Sequence, residues 1–249
     1  MKRTLISTVV AGLVALAAAP AMAAPILVTN QPWGVDTDIE NMTQVFGAGD
    51  FDWHRSYVQA DRHVASIFSS ANRFVMLEGG AATDSLLADY LGRHASAIEA
   101  WVNGGGALLI QSAGWGNSIS FGGVDLVHGY ENGCGTLYPA GVAAFAVAAH
   151  QCGGYLAHNQ VVGTGLTTFM TGDTWYGPIV AGKQVGLGYI MYSGLTASRF
   201  HEGGYGLVNG VIRYTAQQAQ AAEAPEPASL ALLGLGVAAL GALRRRARG

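Results

Sequence analysis

The stretch DSLLADYLGRHASAIEAWVNGGGALLI, residues 84–110, decides the fold. Leu87, Leu91, Ala95, Ile98 and Val102 recur at steps of three or four, the spacing of one face of an α-helix, so Asp84–Asn103 reads as a long amphipathic helix. Gly104 supplies its stop. Ala107-Leu108-Leu109-Ile110 then forms an uninterrupted apolar run, as expected of a strand buried on both faces. Strands and helices that alternate in this way predict parallel neighbours, because parallel strands need a crossover connection between them.

The same alternation extends outward from that unit. Phe74-Val75-Met76-Leu77 reads as the preceding strand, stopped by Glu78-Gly79-Gly80, and Ile26-Leu27-Val28-Thr29 as the first strand, bounded by Pro25 and Asn30-Gln31-Pro32. Thr37-Asp38-Ile39-Glu40 has capping-box spacing and opens a helix whose apolar stripe is Ile39, Met42, Val45 and Phe46. Phe51 to Val58 suggests a second strand, and Val64, Ile67 and Phe68 a short helix. From Gly114 to Tyr155 the pattern dissolves into glycines and small residues, which reads as an insertion. Gln184 to Tyr192 is strand-like, Leu207 to Tyr214 is a closing helix, and Thr215 to Ala224 is an Ala- and Gln-rich linker. The expectation is an α/β domain over residues 25–214, an open and mostly parallel sheet with helices on both faces (flavodoxin-like) plus a Gly-rich insertion.

Both ends of the chain carry addresses. Lys2 and Arg3 precede an apolar run from Leu5 to Ala19, followed by Pro20 and Ala21-Met22-Ala23, the form of a secretory signal peptide over residues 1–23. The last 25 residues run Pro225-Glu226-Pro227-Ala228-Ser229, an apolar stretch from Leu230 to Leu243, and then Arg244-Arg245-Arg246-Ala247-Arg248. A helix over that stretch covers roughly 21 Å of a ~30 Å hydrocarbon core, a marginal span, and the arginines hold its end on the cytoplasmic side. Residues 225–249 closely resemble the PEP-CTERM sorting signal, in which Pro-Glu-Pro, a short hydrophobic helix and an Arg cluster direct an exported protein to an exosortase. The resemblance implies Sec export, a transient membrane stay through the C-terminal segment, recognition by an exosortase-type enzyme through Pro225, Glu226, Pro227, Arg244, Arg245 and Arg246, and delivery to the cell surface or extracellular matrix.

Six of the 13 basic residues and two of the 16 acidic ones, Glu223 and Glu226, lie outside residues 25–222, which leaves that core near −7. Nucleic acid and anionic membrane surfaces demand a basic footprint, so neither is an expected partner of the core. The two cysteines, Cys134 and Cys152, lie 18 residues apart in a chain bound for an oxidising compartment and read as a disulfide. Neither has a second cysteine at ligand spacing, and His150 reads as a loop neighbour, so no metal site is expected.

In an open parallel sheet, ligands sit beyond the carboxyl ends of the strands, here Asn30 to Gly34, Glu78-Gly79-Gly80 and Ser112 to Trp115. Phe74 to Gly80, the long helix and Trp101 to Ile110 resemble the class I glutamine amidotransferase-like fold, and Leu207 to Tyr214 is similar to its final helix. That resemblance implies an oxyanion role for Gly79 and Gly80. It also implies a nucleophilic cysteine after the strand ending near Gln111, where this chain has Ser112-Ala113-Gly114-Trp115, and a late histidine and glutamate that His201-Glu202 echo without the intervening residue. Without the thiolate, glutaminase chemistry is lost. Ser112 sits in half of a nucleophile elbow, with Ile110 where the first glycine belongs.

Asp36, Asp38 and Glu40 are explained by capping and the helix dipole. No Walker or dinucleotide motif follows a strand, no EF-hand pattern is present, and no cofactor is expected. Trp33, Trp53, Trp115 and Trp175 beside Tyr176 are either core or a platform for sugar rings. The expected function is an exported, non-catalytic cell-surface or extracellular-matrix protein with matrix polysaccharide as a candidate ligand. The alternative is a secreted serine hydrolase using Ser112 and His201 with Gly79 and Gly80.

Overall fold

A computed structural model describes residues 24–32, 37–81, 83–115, 118–174 and 177–219. The elements in chain order are β1 (Ile26–Thr29), α1 (Thr37–Phe46), β2 (Asp52–His54), α2 (Tyr57–Asp61), α3 (Val64–Ile67), β3 (Phe74–Ala81), α4 (Asp84–Asn103), β4 (Ala107–Gly114), β5 (Ile119–Phe121), β6 (Val124–Leu137), α5 (Pro139–Phe145), β7 (His150–Gly163), β8 (Thr167–Gly172), β9 (Pro178–Val185), β10 (Gly188–Ser193) and α6 (Gly206–Gln217).

The strands form one ten-stranded sheet in the order β2-β1-β3-β4-β10-β9-β8-β6-β5, with β7 also paired to β6. From β2 to β10 every pairing is parallel, and from β10 onward every pairing is antiparallel. This mixed sheet overturns the expected open, mostly parallel, flavodoxin-like architecture. Two misread segments account for the difference. Gln184 to Tyr192 is two strands, since the chain reverses at Gly186, whose φ of 59° is open to glycine at no steric cost, and β9 returns as β10. The supposed insertion contains two 14-residue strands, β6 and β7. Their glycines carry no side chain for a period-two pattern to display, and several are required by close approach; a β-carbon on Gly135 would lie 2.8 Å from the Thr171 carbonyl oxygen.

Alternation along the parallel strands divides the core between the two faces of the sheet. Val28, Val75, Leu77, Leu108, Ile110 and Ile190 join Leu87, Leu91, Ile98 and Trp101 of α4, with Tyr57 and Ile67 from α2 and α3. Leu27, Met76, Leu109 and Met191 face the other way, against Met42 of α1, Phe145 of α5 and Leu207, Val208 and Val211 of α6. Every residue of β4 is buried, as a strand covered on both faces must be. Among the described residues, no helix is long and apolar enough to cross a membrane.

Candidate functional site

The parallel register lines up one polar residue from each of four neighbouring strands. Thr29 pairs with Glu78, Glu78 with Gln111, and Gln111 with Ser193, so these four form a row across β1, β3, β4 and β10 near their carboxyl ends. All four are buried. Counting in twos from Leu27, Met76, Leu109 and Met191 places the row on the face covered by α1 and α6.

Helix α1 presents Asp38 to this row. Asp38 and Glu78 are hydrogen-bonded carboxyls, both buried; desolvation followed by the charge of Asp38 pushes Glu78 well above the usual carboxyl range, and desolvation also raises Asp38. The Thr29 hydroxyl donates to Glu78 Oε2, and the Tyr57 hydroxyl donates to the Glu78 carbonyl oxygen at 2.7 Å. Farther along the same helix, Asn41 Nδ2 donates to Asn209 Oδ1 at 2.6 Å and Asn41 Oδ1 accepts from Ser198 Oγ at 2.9 Å, tying α1 to α6. Both amide atoms of Gln111 and Oδ1 of Asp38 have no hydrogen-bond partner among the described residues.

In sequence, Asp38 reads as a helix-start acid and Glu78 as a strand stop. Thr37 is itself the first helical residue, and Asp38 turns inward. The overlooked signal is Glu78 itself, a carboxyl that continues the inward alternation of Phe74 and Met76 without a break.

Gly79 and Gly80 lie inside β3, paired with Ser112 and Ala113 of β4, and both strands run on to Ala81 and Gly114. The expected strand stop at Glu78-Gly79-Gly80 and the turn at Ser112 are therefore corrected: small residues let these two strands keep pairing. Ser112 is fully buried and its Oγ donates to Asp84 Oδ1 at 2.6 Å. A β-carbon on Gly79 would lie 2.7 Å from Leu87 and 2.9 Å from Asp84 Oδ1, so this glycine admits the first turn of α4 against the sheet. Burial pushes the Asp84 carboxyl up to about 6, with the Ser112 hydrogen bond acting against that shift.

His201 lies elsewhere in the hydrogen-bond network. Its Nε2 faces Thr196 Oγ1 at 3.2 Å, its backbone bridges to Gly153 of β7, and burial lowers its pKa to about 4. The structure thus brings Ser112, Gly79 and Gly80 together on adjacent strands and directs the serine hydroxyl to Asp84 as a hydrogen-bond donor, while His201 Nε2 faces Thr196.

The tryptophans differ from one another. Trp53 packs partly buried against the core beneath the guanidinium of Arg55, 4.6 Å from its ring. Trp115 is 50% exposed; its ring stands 4.4 Å from His158 and 5.9 Å from His128, and it borders a cavity of about 290 Å³ with His128, Gly129, Glu131 and Thr174. His128 Nδ1 lies 2.7 Å from the Gly114 carbonyl oxygen, which only accepts, so Nδ1 is the donor in this contact. Trp33, Trp175, Tyr176 and Asp36 lie outside the described residues, as do the signal-peptide and sorting segments.

Cys134 and Cys152 oppose each other across β6 and β7 and are joined by a disulfide. Replacing both with serine is expected to lower stability by about 3 kcal/mol, the loop-entropy value for a closure of this length, as read by chemical denaturation. A loss under about 0.5 kcal/mol would mean that the crosslink scarcely restricts the unfolded chain.

Comparison with known proteins identifies the tail. Residues 223–246 match the PEP-CTERM protein-sorting motif. The chain is thus an exported protein sorted through a C-terminal signal, with a transient membrane anchor and an exosortase-type enzyme as its recognition partner. No match is found among curated proteins. Among solved structures, the chain is similar to the cold-adapted β-galactosidase of Rahnella sp. R3 (TM-score 0.47, 11% identity, 76% of this chain and 30% of that one) and to the β-galactosidase of Bacillus circulans sp. alkalophilus (0.47, 11%, 79% and 31%). It is also similar to a protein described as a GMP synthase subunit from Thermoplasma acidophilum (0.46, 12%, 78% and 95%). The chain spans about 30% of the length of the β-galactosidases, and at this level of similarity no activity transfers to it.

Proposed function

We propose that the exported protein carries a non-catalytic domain, residues 25–214, to the cell surface or extracellular matrix, where it binds polysaccharide. A signal peptide over residues 1–23, Sec export and a linker over 215–224 complete this reading, although α6 extends three residues into that linker, to Gln217. The observation that carries the non-catalytic assignment is the fate of Ser112. Its hydroxyl is buried and committed to Asp84, at the place where a glutamine amidotransferase-like core would hold its nucleophile. An attacking hydroxyl must stand open to substrate, and Ser112 is fully enclosed.

Trp115 supports the binding assignment. Half of an indole exposed beside a cleft offers an apolar face for a sugar ring, and Glu131, His128 and Thr174 border the same cleft with hydrogen-bonding groups.

The mature protein should show no turnover of ester or glycan substrates, and Ser112→Ala should behave as the parent. Turnover abolished by Ser112→Ala would establish the hydrolase instead. Binding to isolated matrix polysaccharide should weaken about tenfold in Trp115→Ala; unchanged binding would remove the indole from the interface. For the sorting step, replacing Pro225, Glu226 and Pro227 with alanine should leave the full-length form in the membrane fraction, detected by fractionation and immunoblot. Normal processing of that variant would mean that the three residues are not read by the sorting enzyme.

A further inference from the structure

One face of the β6–β7 ribbon gathers more than a disulfide. Cys134 is directly opposite Cys152, and Thr136 directly opposite His150, so the four side chains project from one side as two adjacent cross-strand pairs. His150, set aside in sequence as a loop neighbour, is the first residue of β7. Its Nε2 stands 3.3 Å from Cys152 Sγ. On its far side, Nδ1 lies 3.4 Å from Thr136 Oγ1 and 3.7 Å from Asp173 Oδ2, and the Thr136 hydroxyl donates to Asp173 Oδ1 at 3.2 Å.

This chain of contacts selects one tautomer of the neutral imidazole. A carboxylate only accepts, so the single hydroxyl proton of Thr136 goes to Asp173; the hydroxyl oxygen then accepts from His150, and Nδ1 carries the ring proton. In that tautomer Nε2 is the acceptor nitrogen, and it is the one beside Cys152 Sγ. A histidine held from behind by an acidic group, with its other nitrogen free, is the arrangement that protein metal sites use to orient an imidazole ligand. The two sulfurs and an imidazole nitrogen lie within 4.8 Å of one another.

We infer that Cys134, Cys152 and His150 make a redox-gated site for a thiophilic divalent cation of the Zn²⁺ class, closed while the disulfide stands and open once it is reduced, with Asp173 and Thr136 as positioning residues. In the opening step an external dithiol gives two electrons to the S–S bond and leaves as its own disulfide, while Cys134 and Cys152 become thiols. Cation binding then releases their two protons to solvent and forms two metal–thiolate bonds and one metal–nitrogen bond. Zn–S distances of about 2.3 Å and Zn–N distances of about 2.0 Å bring the ligand atoms to roughly 3.5 Å apart, within reach of side-chain rotation from the observed positions. The His150 side chain is exposed, so solvent reaches the site. Scanning for local Cys-x-x-Cys spacing misses this set because strand pairing brings Cys134 to Cys152 from 18 residues away, and His150 with it. The ladder of β6 with β7 runs through all three ligand positions, and β8 pairs with β6 beside Cys134, so backbone pairing is present at the site apart from the sulfur bond.

The test uses the mature protein reduced with dithiothreitol, desalted without oxygen and titrated with Co²⁺ as the optical probe. One Co²⁺ per chain with a thiolate-to-cobalt charge-transfer band is expected, displaced by Zn²⁺ and absent from the oxidised protein. His150→Ala should weaken binding at least tenfold, and Asp173→Asn by a smaller factor, both with the circular dichroism of the parent. The inference is overturned if the reduced protein gives no band, if His150→Ala binds as tightly as the parent, or if reduction abolishes the β-sheet signal, since the ligands would then belong to an unfolded chain.

Discussion

Gly114→Ala is expected to lower the melting temperature by about 10 °C. A β-carbon there would lie 1.0 Å from Asp84 Oδ2 and 2.2 Å from Asp84 Cγ. Asp84 has little freedom to yield: it is fully buried, it accepts the Ser112 hydroxyl, and Gly79 and Leu87 close the other side. Overpacking of this kind costs about 3 kcal/mol, and in a domain of this size each kcal/mol moves the midpoint by about 2–4 °C. Removing the obstruction should restore part of the loss. In the Asp84→Ala background the glycine substitution should cost at least ~1 kcal/mol less than in the parent, a coupling that a double-mutant cycle reads directly. A Gly114→Ala protein that melts within 2 °C of the parent, with no coupling, would show that Asp84 does not pack where it is placed here.

The second large effect is a pH dependence set by Glu78. Its carboxyl is held well above the usual range in the folded chain, so the folded state keeps its proton more tightly than the unfolded state does. The resulting stability is fully present below the unfolded value of about 4.3 and is lost as pH rises toward the folded value. Asp38 and Asp84 act in the same direction. His158 and His201 act in the opposite one, because burial lowers both to about 4 and their contribution is lost as pH falls from about 6.5 toward that value. The parent's net slope therefore mixes two signs, and the informative quantity is the difference between the parent and Glu78→Gln. The two should be equally stable near pH 4, and the variant should be more stable by about 2 kcal/mol at pH 7, the scale on which relieving a buried ionisable group stabilises a core. Denaturation curves at the two pH values measure this. A difference that does not change with pH would mean that Glu78 titrates normally and is not enclosed.

Legibility in the sequence follows the range of the forces involved. The helix Asp84–Asn103 and the first strand Ile26–Thr29 fall where periodicity places them, because burial of one helical face and the brevity of an apolar run are local facts. Strand direction is not local. Gln184 to Tyr192 carries an unbroken strand pattern on either side of Gly186, and only the reversal there turns β9 against β10 and makes half the sheet antiparallel. The candidate site divides in the same way. Ser112 and the Gly79-Gly80 pair are visible as residues, but their engagement with Asp84 and with each other's strands depends on register. Asp38 reads as an ordinary helix-start acid until α1 is packed on the sheet and its carboxyl meets Glu78.

What the sequence by itself determined is the address: the match over residues 223–246 rests on Pro-Glu-Pro, an apolar run and an arginine cluster in linear order, which a sorting enzyme reads along the chain. It also determined the parallel unit around α4, through the spacing of apolar side chains. The tertiary structure alone decided the mixed sheet, the buried row Thr29-Glu78-Gln111-Ser193 and the meeting of Cys134, Cys152 and His150. Each of these depends on strand pairing between residues far apart in the chain, and pairing is fixed by how whole strands bury their faces against one another, a quantity that no short window of sequence contains.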